Sequence, residues 1–490
     1  MVPLDQPQGG PAIPDKFHDE CGVFGIFGHA EAAAHTALGL HALQHRGQEA
    51  CGIVAFDGRH FHAHRALGQV GDTFSAEAVI AQLPGHAAIG HNRYATTGRT
   101  ALRNVQPLFA DFAFGGFAIC HNGNLTNAYQ TRRDLVRQGS LFQSTTDTEV
   151  IVHLMATSKG RTVLERMVDA LRQVEGAYSL VAMTNDAIIG VRDPLGVRPL
   201  VLGRLGDAHV LASETCALDI IDAEFVRDIE PGEMVVLNQE GVTSLKPFRA
   251  TGNRFCVFEY IYFARPDSSV DGQSVYEARK RIGAELAREH PAPADAVIPV
   301  PDSGVPAALG YAAESGLPFE LGIIRNHYVG RTFIEPSEQI RHLGVRLKHN
   351  ANRAEIRGKR VVLVDDSIVR GTTSRKIVQM VRAAGATEVH MRISSPPTKN
   401  PCFYGIDTPA QKDLLAYSHS VDEIAKQIGV DSLAYISPDG LYRAMGESGR
   451  DPAAPRFCDA CFTGDYPTAL PDKDEAGRQP ELSNLVERAR

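Results

Sequence analysis

Short apolar runs punctuated by Gly and Asn dominate the chain from residue 21 to about 250. CGVFGIFG, CGIVAF, HAAIGHNRY, FAFGGFAICHNG, AYSLVAM, AIIGVRD, LVLG, HVLASE and EMVVL follow one another at strand length. Runs of that length and spacing predict a sheet-rich α/β layer structure. Helical periodicity interrupts them at 30–45, 147–157 and 162–174. From about 256 the rhythm changes. The runs 296–300, 361–365 and 388–394 each adjoin a loop or a helical pattern, which predicts a parallel sheet with crossover helices. No fixed-period repeat is present, so a solenoid is excluded. The expected division is a leader at 1–20, a first domain at 21–255, a second at 256–467, and a loose charged tail at 468–490.

Composition narrows the class. The 490 residues exceed one core and call for two or three domains. Hydrophobic residues at 43% and charged residues at 22% suit an ordinary globular protein. A net charge of -8 gives no general affinity for nucleic acid or membrane surfaces. No run reaches the ~18 apolar residues that span a bilayer. The leader MVPLDQPQGGPAIPDKFHDE lacks an apolar h-region and is no secretory signal. A cytoplasmic location is therefore expected. Eight cysteines are too few for a disulfide scaffold and point to catalysis, metal binding or burial.

Cys21 opens a Gly-rich apolar run. A thiol with a pKa near ~8.5 needs a base, and an α-amine near ~7.8 serves if Cys21 becomes residue one. That requires a cut between Glu20 and Cys21. Alone, Cys21 reads better as core. Three later segments change this. Arg93, in HNRYATTG, offers a fork for an α-carboxylate. Asn122 and Gly123, in HNGNL, offer donors to an oxyanion. Asp147, in TDTE, can hold an α-ammonium. Together they answer one substrate, an amino acid with a side-chain amide. With HALQHRGQEACGI (41–53), these motifs resemble the glutaminase domain of N-terminal-nucleophile amidotransferases. The resemblance covers about 230 residues. It implies a four-layer αββα sandwich and a glutamyl thioester on Cys21. It also implies a grip on glutamine by Arg93 and Asp147, and an oxyanion hole from Asn122 and Gly123. Gln44 to Gly47 belongs to the signature without an assigned chemical step.

In VVLVDDSIVRGTTS (361–374) an apolar strand ends in two acids before a loop and a helix pattern. Ligands of open α/β sheets bind beyond the carboxyl ends of strands. Arg370, Gly371, Thr372, Thr373 and Ser374 form a phosphate cradle at a helix start. Asp365 and Asp366 can take ribose hydroxyls or water around magnesium. The segment resembles the phosphoribosyl diphosphate motif of type I phosphoribosyltransferases. AVIPVPDSGVPAALGYA (296–312) is similar to that family's pyrophosphate turn. The resemblance implies that Ser303 joins Asp365 and Asp366 around one Mg2+ per subunit. It also implies that the basic stretch 325–350 closes over the diphosphate, with Arg331, Arg346 and Lys348 as clamps.

A glutaminase joined to a phosphoribosyl diphosphate site resembles the amidophosphoribosyltransferase family over Cys21 to about Cys461. The resemblance implies ammonia transfer from glutamine to C1 of phosphoribosyl diphosphate, at the committing step of purine synthesis. It further implies a dry passage between the sites, little glutamine hydrolysis without the second substrate, purine nucleotides as feedback inhibitors, and a homotetramer. Cys458 and Cys461 have metal-ligand spacing, which suits zinc and iron–sulfur equally. One branch of the family has a cleaved leader and one [4Fe–4S] cluster per subunit. Its pattern matches FCVFEY, PCFYGID and CDACF and implies Cys256, Cys402, Cys458 and Cys461 as ligands, in a structural role. Cys51, Cys120 and Cys216 read as core. Sugar-isomerase domains and an SGGxDS loop, marks of other amidotransferases, are not evident. A self-processing peptidase leaves the phosphoribosyl half unexplained. A non-catalytic sensor of phosphoribosyl diphosphate is the alternative from another class.

Overall fold

The computed structural model describes residues 21–94, 101–249, 251–326, 349–473 and 482. Arg331, Arg346 and Lys348 lie outside the described residues, as does the leader. Thirteen strands fill the first half. They are β1 (Gly22–Phe27), β2 (Ala50–Phe56), β3 (Phe61–Leu67), β4 (Ala87–Arg93), β5 (Leu108–Phe112), β6 (Gly115–Leu125) and β7 (Gly176–Met183). There follow β8 (Ile188–Arg192), β9 (Val201–Leu205), β10 (Ala208–Ala212), β11 (Glu224–Asp228), β12 (Met234–Asn238) and β13 (Gly241–Leu245). Two antiparallel sheets result, ordered β11-β9-β10-β1-β4-β2-β3 and β13-β12-β8-β7-β6-β5.

Alternation along β1 explains the layers. Val23 and Phe27 face the second sheet, in a core shared with Ile89, Ala118, Val181 and Leu211. Phe24 and Ile26 point the other way, onto Leu40 and its neighbours in helix Ala32–Ala42. On the far face of the second sheet, Ile119, Leu180 and Ile189 meet helices Thr148–Thr157 and Val163–Leu171. The order helix, sheet, sheet, helix is the expected αββα sandwich. Gly25 lets the sheets close, since a Cβ there would come 2.8 Å from Val181. All three helices predicted from periodicity form inside their predicted spans.

The second half carries a four-stranded parallel sheet. Its strands run Ala296–Pro299, Arg360–Asp365, Glu388–Ile393 and Ser432–Tyr435, in that spatial order. Helices Val275–Glu289 and Val305–Ser315 share a core with Val297, Val362 and Val364, while Ile377 and Val381 of helix Thr372–Ala383 pack with Leu363 and Met391. A two-residue parallel pairing joins Phe255–Cys256 to Phe457–Cys458. Part of the segment expected as a loose tail is docked instead. The Asp472 carboxylate accepts from the Tyr129 and Gln130 N–H groups at 2.6 and 3.1 Å, and Leu482 is buried against the second sheet's helices. Two N–H groups at a helix start outweigh what the charged composition suggested.

Candidate active sites

Cys21 leads into β1, whose pairing sets Gly22 opposite Asn92 on β4. The Cys21 thiol therefore lies beside the end of β4, donating to the Tyr94 carbonyl at 3.5 Å. It is 7% exposed, and Arg93 is 3% exposed. Gly47 fits against this corner because a Cβ would fall 2.7 Å from the Arg93 carbonyl carbon. The Gln44 side chain braces the same turn, donating to the Gly47 carbonyl and accepting from the Val70 N–H.

β6 crosses the sandwich opposite β4. The His91 ring meets the His121 carbonyl through Nε2 at 3.1 Å. Full burial, with Arg93 adding like charge, holds that ring down to about 3. It is therefore neutral and Nε2–H donates. Asn122 follows His121 and is 0% exposed. Neither polar atom of its amide has a hydrogen-bond partner among the described residues. An unmade bond on a buried amide costs ~1–3 kcal/mol, so the site asks for a ligand there. Gly123 has φ +139°, and a Cβ would lie 2.1 Å from the Ala177 carbonyl oxygen. Only glycine fits that position.

Asp147 caps helix Thr148–Thr157. Its carboxylate accepts from the Thr148 and Leu125 N–H groups, both at 3.0 Å, and lies 3.6 Å from the His121 ring. It thus faces the end of the Asn122–Gly123 strand. A brace around it was not read from the sequence. The Gln106 amide bonds the His121 N–H and the Thr148 hydroxyl at 2.8 and 3.0 Å. Asn104 pairs with Thr145 through two bonds of 2.9 Å. Glu149 accepts from the Gln143 and Ser144 N–H groups at 2.7 Å. The available signal is Glu149, two residues past Asp147 in the TDTE motif.

In the second half, Asp365 and Asp366 end the strand Arg360–Asp365, each 1% exposed. The Ser303 and Ser367 hydroxyls donate to the two oxygens of Asp366 at 2.5 Å, which places Ser303 beside the acidic pair. Gly371, at φ +78°, turns the chain into helix Thr372–Ala383. Thr372, Thr373 and Ser374 occupy that helix's first turn, and Arg370 lies just before it. Hard oxygen donors beside a helix start are the chemistry that magnesium and phosphate require.

Cys256, Cys402, Cys458 and Cys461 pack in one core. Burial raises the Cys461 thiol well above its ordinary range, and the charges of Cys256, Cys402 and Cys458 add to it. All four therefore lie within electrostatic reach. Among the described residues, no three His, Cys, Asp or Glu side chains close on a single ion. Four thiols in one core are nonetheless the donor type that a thiolate-held cluster takes. Cys51, Cys120 and Cys216 are buried in the first half.

A buried ion network joins the halves at this point. Arg46 bridges Glu214 and Glu259, reaching the latter at 2.6 Å. Arg198 lies 3.4 Å from Glu259. Burial alone would raise the Glu214 carboxyl, but the charges of Arg46 and His45 hold it well below the usual carboxylate range.

Two family descriptions match the chain. A glutamine amidotransferase domain covers residues 91–219, and a phosphoribosyl transferase domain covers 270–395. The amidophosphoribosyltransferase of Rhizobium etli is 58% identical, over 99% of this chain and 98% of its own. This chain belongs to the amidophosphoribosyltransferase family. The Bacillus subtilis relative is 51% identical, over 92% of this chain and 95% of its own. A solved glutamine phosphoribosylpyrophosphate amidotransferase from B. subtilis, complexed with ADP and GMP, is 49% identical. It superimposes with a TM-score of 0.88 over 94% of this chain and all of its own. The reaction is ammonia transfer from glutamine to C1 of phosphoribosyl diphosphate, giving 5-phosphoribosylamine, glutamate and diphosphate at the first committed step of purine biosynthesis. A non-catalytic sensor is set aside. No helix of the described residues is long and apolar enough to cross a membrane.

Proposed function

We propose that the chain works as a two-site enzyme with Cys21, freed by removal of residues 1–20, as its nucleophile. The observation that carries this reading is the Asn122 amide, wholly buried beside Gly123 and without a hydrogen-bond partner among the described residues. Arg93 takes the glutamine carboxylate and Asp147 its ammonium. The free α-amine of Cys21 accepts the thiol proton, and the thiolate attacks the side-chain amide carbon. Asn122 and the Gly123 N–H hold the oxyanion. The amine then returns the proton to the departing ammonia, leaving a glutamyl thioester that water hydrolyses to glutamate.

In the other site, Gly371 to Ser374 hold the 5-phosphate. Arg370 lies at the start of that cradle, and Arg331 and Lys348 meet the diphosphate. Ser303, Asp365 and Asp366 are the residues to hold Mg2+, which when bound neutralises the leaving diphosphate. Cys256, Cys402, Cys458 and Cys461 are the residues to hold a [4Fe–4S] cluster, whose contribution is to staple the C-terminal segment to residue 256. No redox step is needed. Residues 21–255 and 256–467 act as the two functional domains, in a cytoplasmic homotetramer restrained by purine nucleotides.

The test is Cys21→Ala in the mature enzyme, with intact-mass measurement of the wild type. Loss of glutamine use with retained ammonia use is expected, with Cys21 as the mature terminus. A stable terminus at Met1 or Val2 overturns the proposed base. Equal glutamine hydrolysis with and without phosphoribosyl diphosphate overturns the coupling of the two sites.

A further inference from the structure

The end of β6 is held in register by a segment from the other half of the chain. The Asn124 amide donates to the Phe403 carbonyl at 2.9 Å, across 279 residues of sequence. The Arg198 guanidinium, fully buried, donates to the Tyr404 carbonyl at 2.8 Å. Gly405, at φ +117°, rests on Gly123. A Cβ there would lie 3.1 Å from the Gly123 Cα and 3.4 Å from its oxygen. The Cys402 N–H reaches the Thr408 hydroxyl at 2.8 Å and closes residues 402–408 into a compact loop.

The far end of the same loop is electrostatically coupled to the phosphoribosyl site. Asp407 lies within electrostatic reach of Arg370, just before the phosphate cradle, and of Glu49. The Glu49 N–H in turn donates to the Arg93 carbonyl at 3.2 Å. The loop thus touches the oxyanion strand, and the chain running on from it reaches the phosphate loop, where the Leu415 N–H donates to the Val369 carbonyl at 2.9 Å. An oxyanion donor acts only within a few tenths of an ångström of its place, and a displacement near 1 Å costs about 10²-fold.

We infer that residues 402–408 form a positioning strap through which a filled phosphoribosyl site sets the Gly123 N–H for glutamine hydrolysis. The inference rests on the oxyanion reading of Asn122 and Gly123. When the 5-phosphate draws Arg370, the Asp407 end of the strap follows, and Phe403 to Gly405 carry the movement to β6. Asn124 is a positioning residue that acts through Gly123.

The experiment uses the full mature enzyme and phosphoribosyl diphosphate itself as the probe. Asn124→Leu keeps side-chain shape and removes the bond to Phe403. Glutamine hydrolysis without the probe should stay within about twofold of wild type. The ratio of rates with and without the probe should fall by about tenfold or more. Ammonia-dependent synthesis and the KM for phosphoribosyl diphosphate should not change. Asp407→Asn, a milder change outside the core, should lower the same ratio in a well-folded protein. An unchanged ratio in both variants overturns the strap, as does equal loss of both rates. Asn122→Leu separates the two readings, since it should lower hydrolysis in both conditions. Intact hydrolysis in Asn122→Leu removes the oxyanion reading and the strap together.

Discussion

Asn122→Leu should make the protein more stable and nearly inactive with glutamine. Leucine has the same count of side-chain heavy atoms in the same branching, so the pocket neither empties nor overfills. Asn122 is 0% exposed, and neither its Nδ2 nor its Oδ1 has a partner among the described residues. The native state therefore carries the desolvation cost of an unpaired amide, ~1–3 kcal/mol. Leucine removes that cost. Chemical denaturation should show the gain, and a thermal scan should show a rise of a few degrees, about 2–4 °C per kcal/mol for domains of this size. Catalysis moves the other way. Loss of one oxyanion donor costs about 10²–10³ in kcat, or ~3–4 kcal/mol. The assay pairs glutamate release with ammonia-dependent synthesis in the same preparation. Glutamate release should fall by that factor while ammonia-dependent synthesis holds. Destabilisation beyond ~1 kcal/mol would mean that the amide was paired after all. An unchanged glutaminase rate would mean that it is not the donor.

Three further outcomes are expected. Arg46→Met should cost ~3–5 kcal/mol in urea unfolding, because it strands the buried Glu214 and Glu259 carboxylates, and Arg46→Met with Glu259→Met should recover part of it; a single variant within ~1 kcal/mol of wild type counts against a structural role for the network. His91 titrates near 3 when folded and 6.5 when free, so its contribution is complete above pH 6.5 and drains away as pH falls toward 3. Between pH 7.5 and 5 the wild type should lose ~2 kcal/mol more than His91→Gln, and parallel pH profiles would contradict the burial argument. Elemental analysis of anaerobically purified protein should give about four irons per chain and no zinc, with iron lost in Cys402→Ser; zinc in stoichiometric amount would replace the cluster with a single-ion site.

What could be read ahead of the fold was local. The runs around β1, β4 and β6 declare strands because their apolar residues serve both faces of a buried sheet, as Val23 and Phe24 do in opposite cores. The site motifs were legible because each holds a backbone peculiarity beside a polar side chain. Gly123 next to Asn122 is one, and Gly371 before two threonines is another. The supports were not legible. Gln44 to Gly47 stood in the signature without a role, since the partners of Arg46 lie 168 and 213 residues away. Gln106 and Asn104 sit in no motif, and their use is visible only once β5 brings them against Thr145 and His121. The docking of Asp472 is not legible in the sequence because a helix start offers N–H groups that no side-chain pattern announces.

The unpaired polar atoms explain why these supports are needed. Among the described residues, buried side-chain atoms of His91, Asn92, Asn122 and Thr126 lack partners, and all four residues lie on β4 or at the end of β6. At ~1–3 kcal/mol each, the site stores several kcal/mol of unmade hydrogen bonding. A strand pair left to itself would twist or slip to satisfy them. It is prevented by a frame whose own groups are paired: Gln106 on His121, Asp147 on Leu125, Asn104 on Thr145, Asn124 on Phe403. Three of those ties come from the glutaminase half and one from the other half. The frame is therefore complete only when the two halves are docked. A glutaminase unit cut away at residue 255 should lose the Asn124 tie and the Arg46–Glu259 bridge together, and its β6 should relax toward the hydrogen bonds that catalysis leaves unmade.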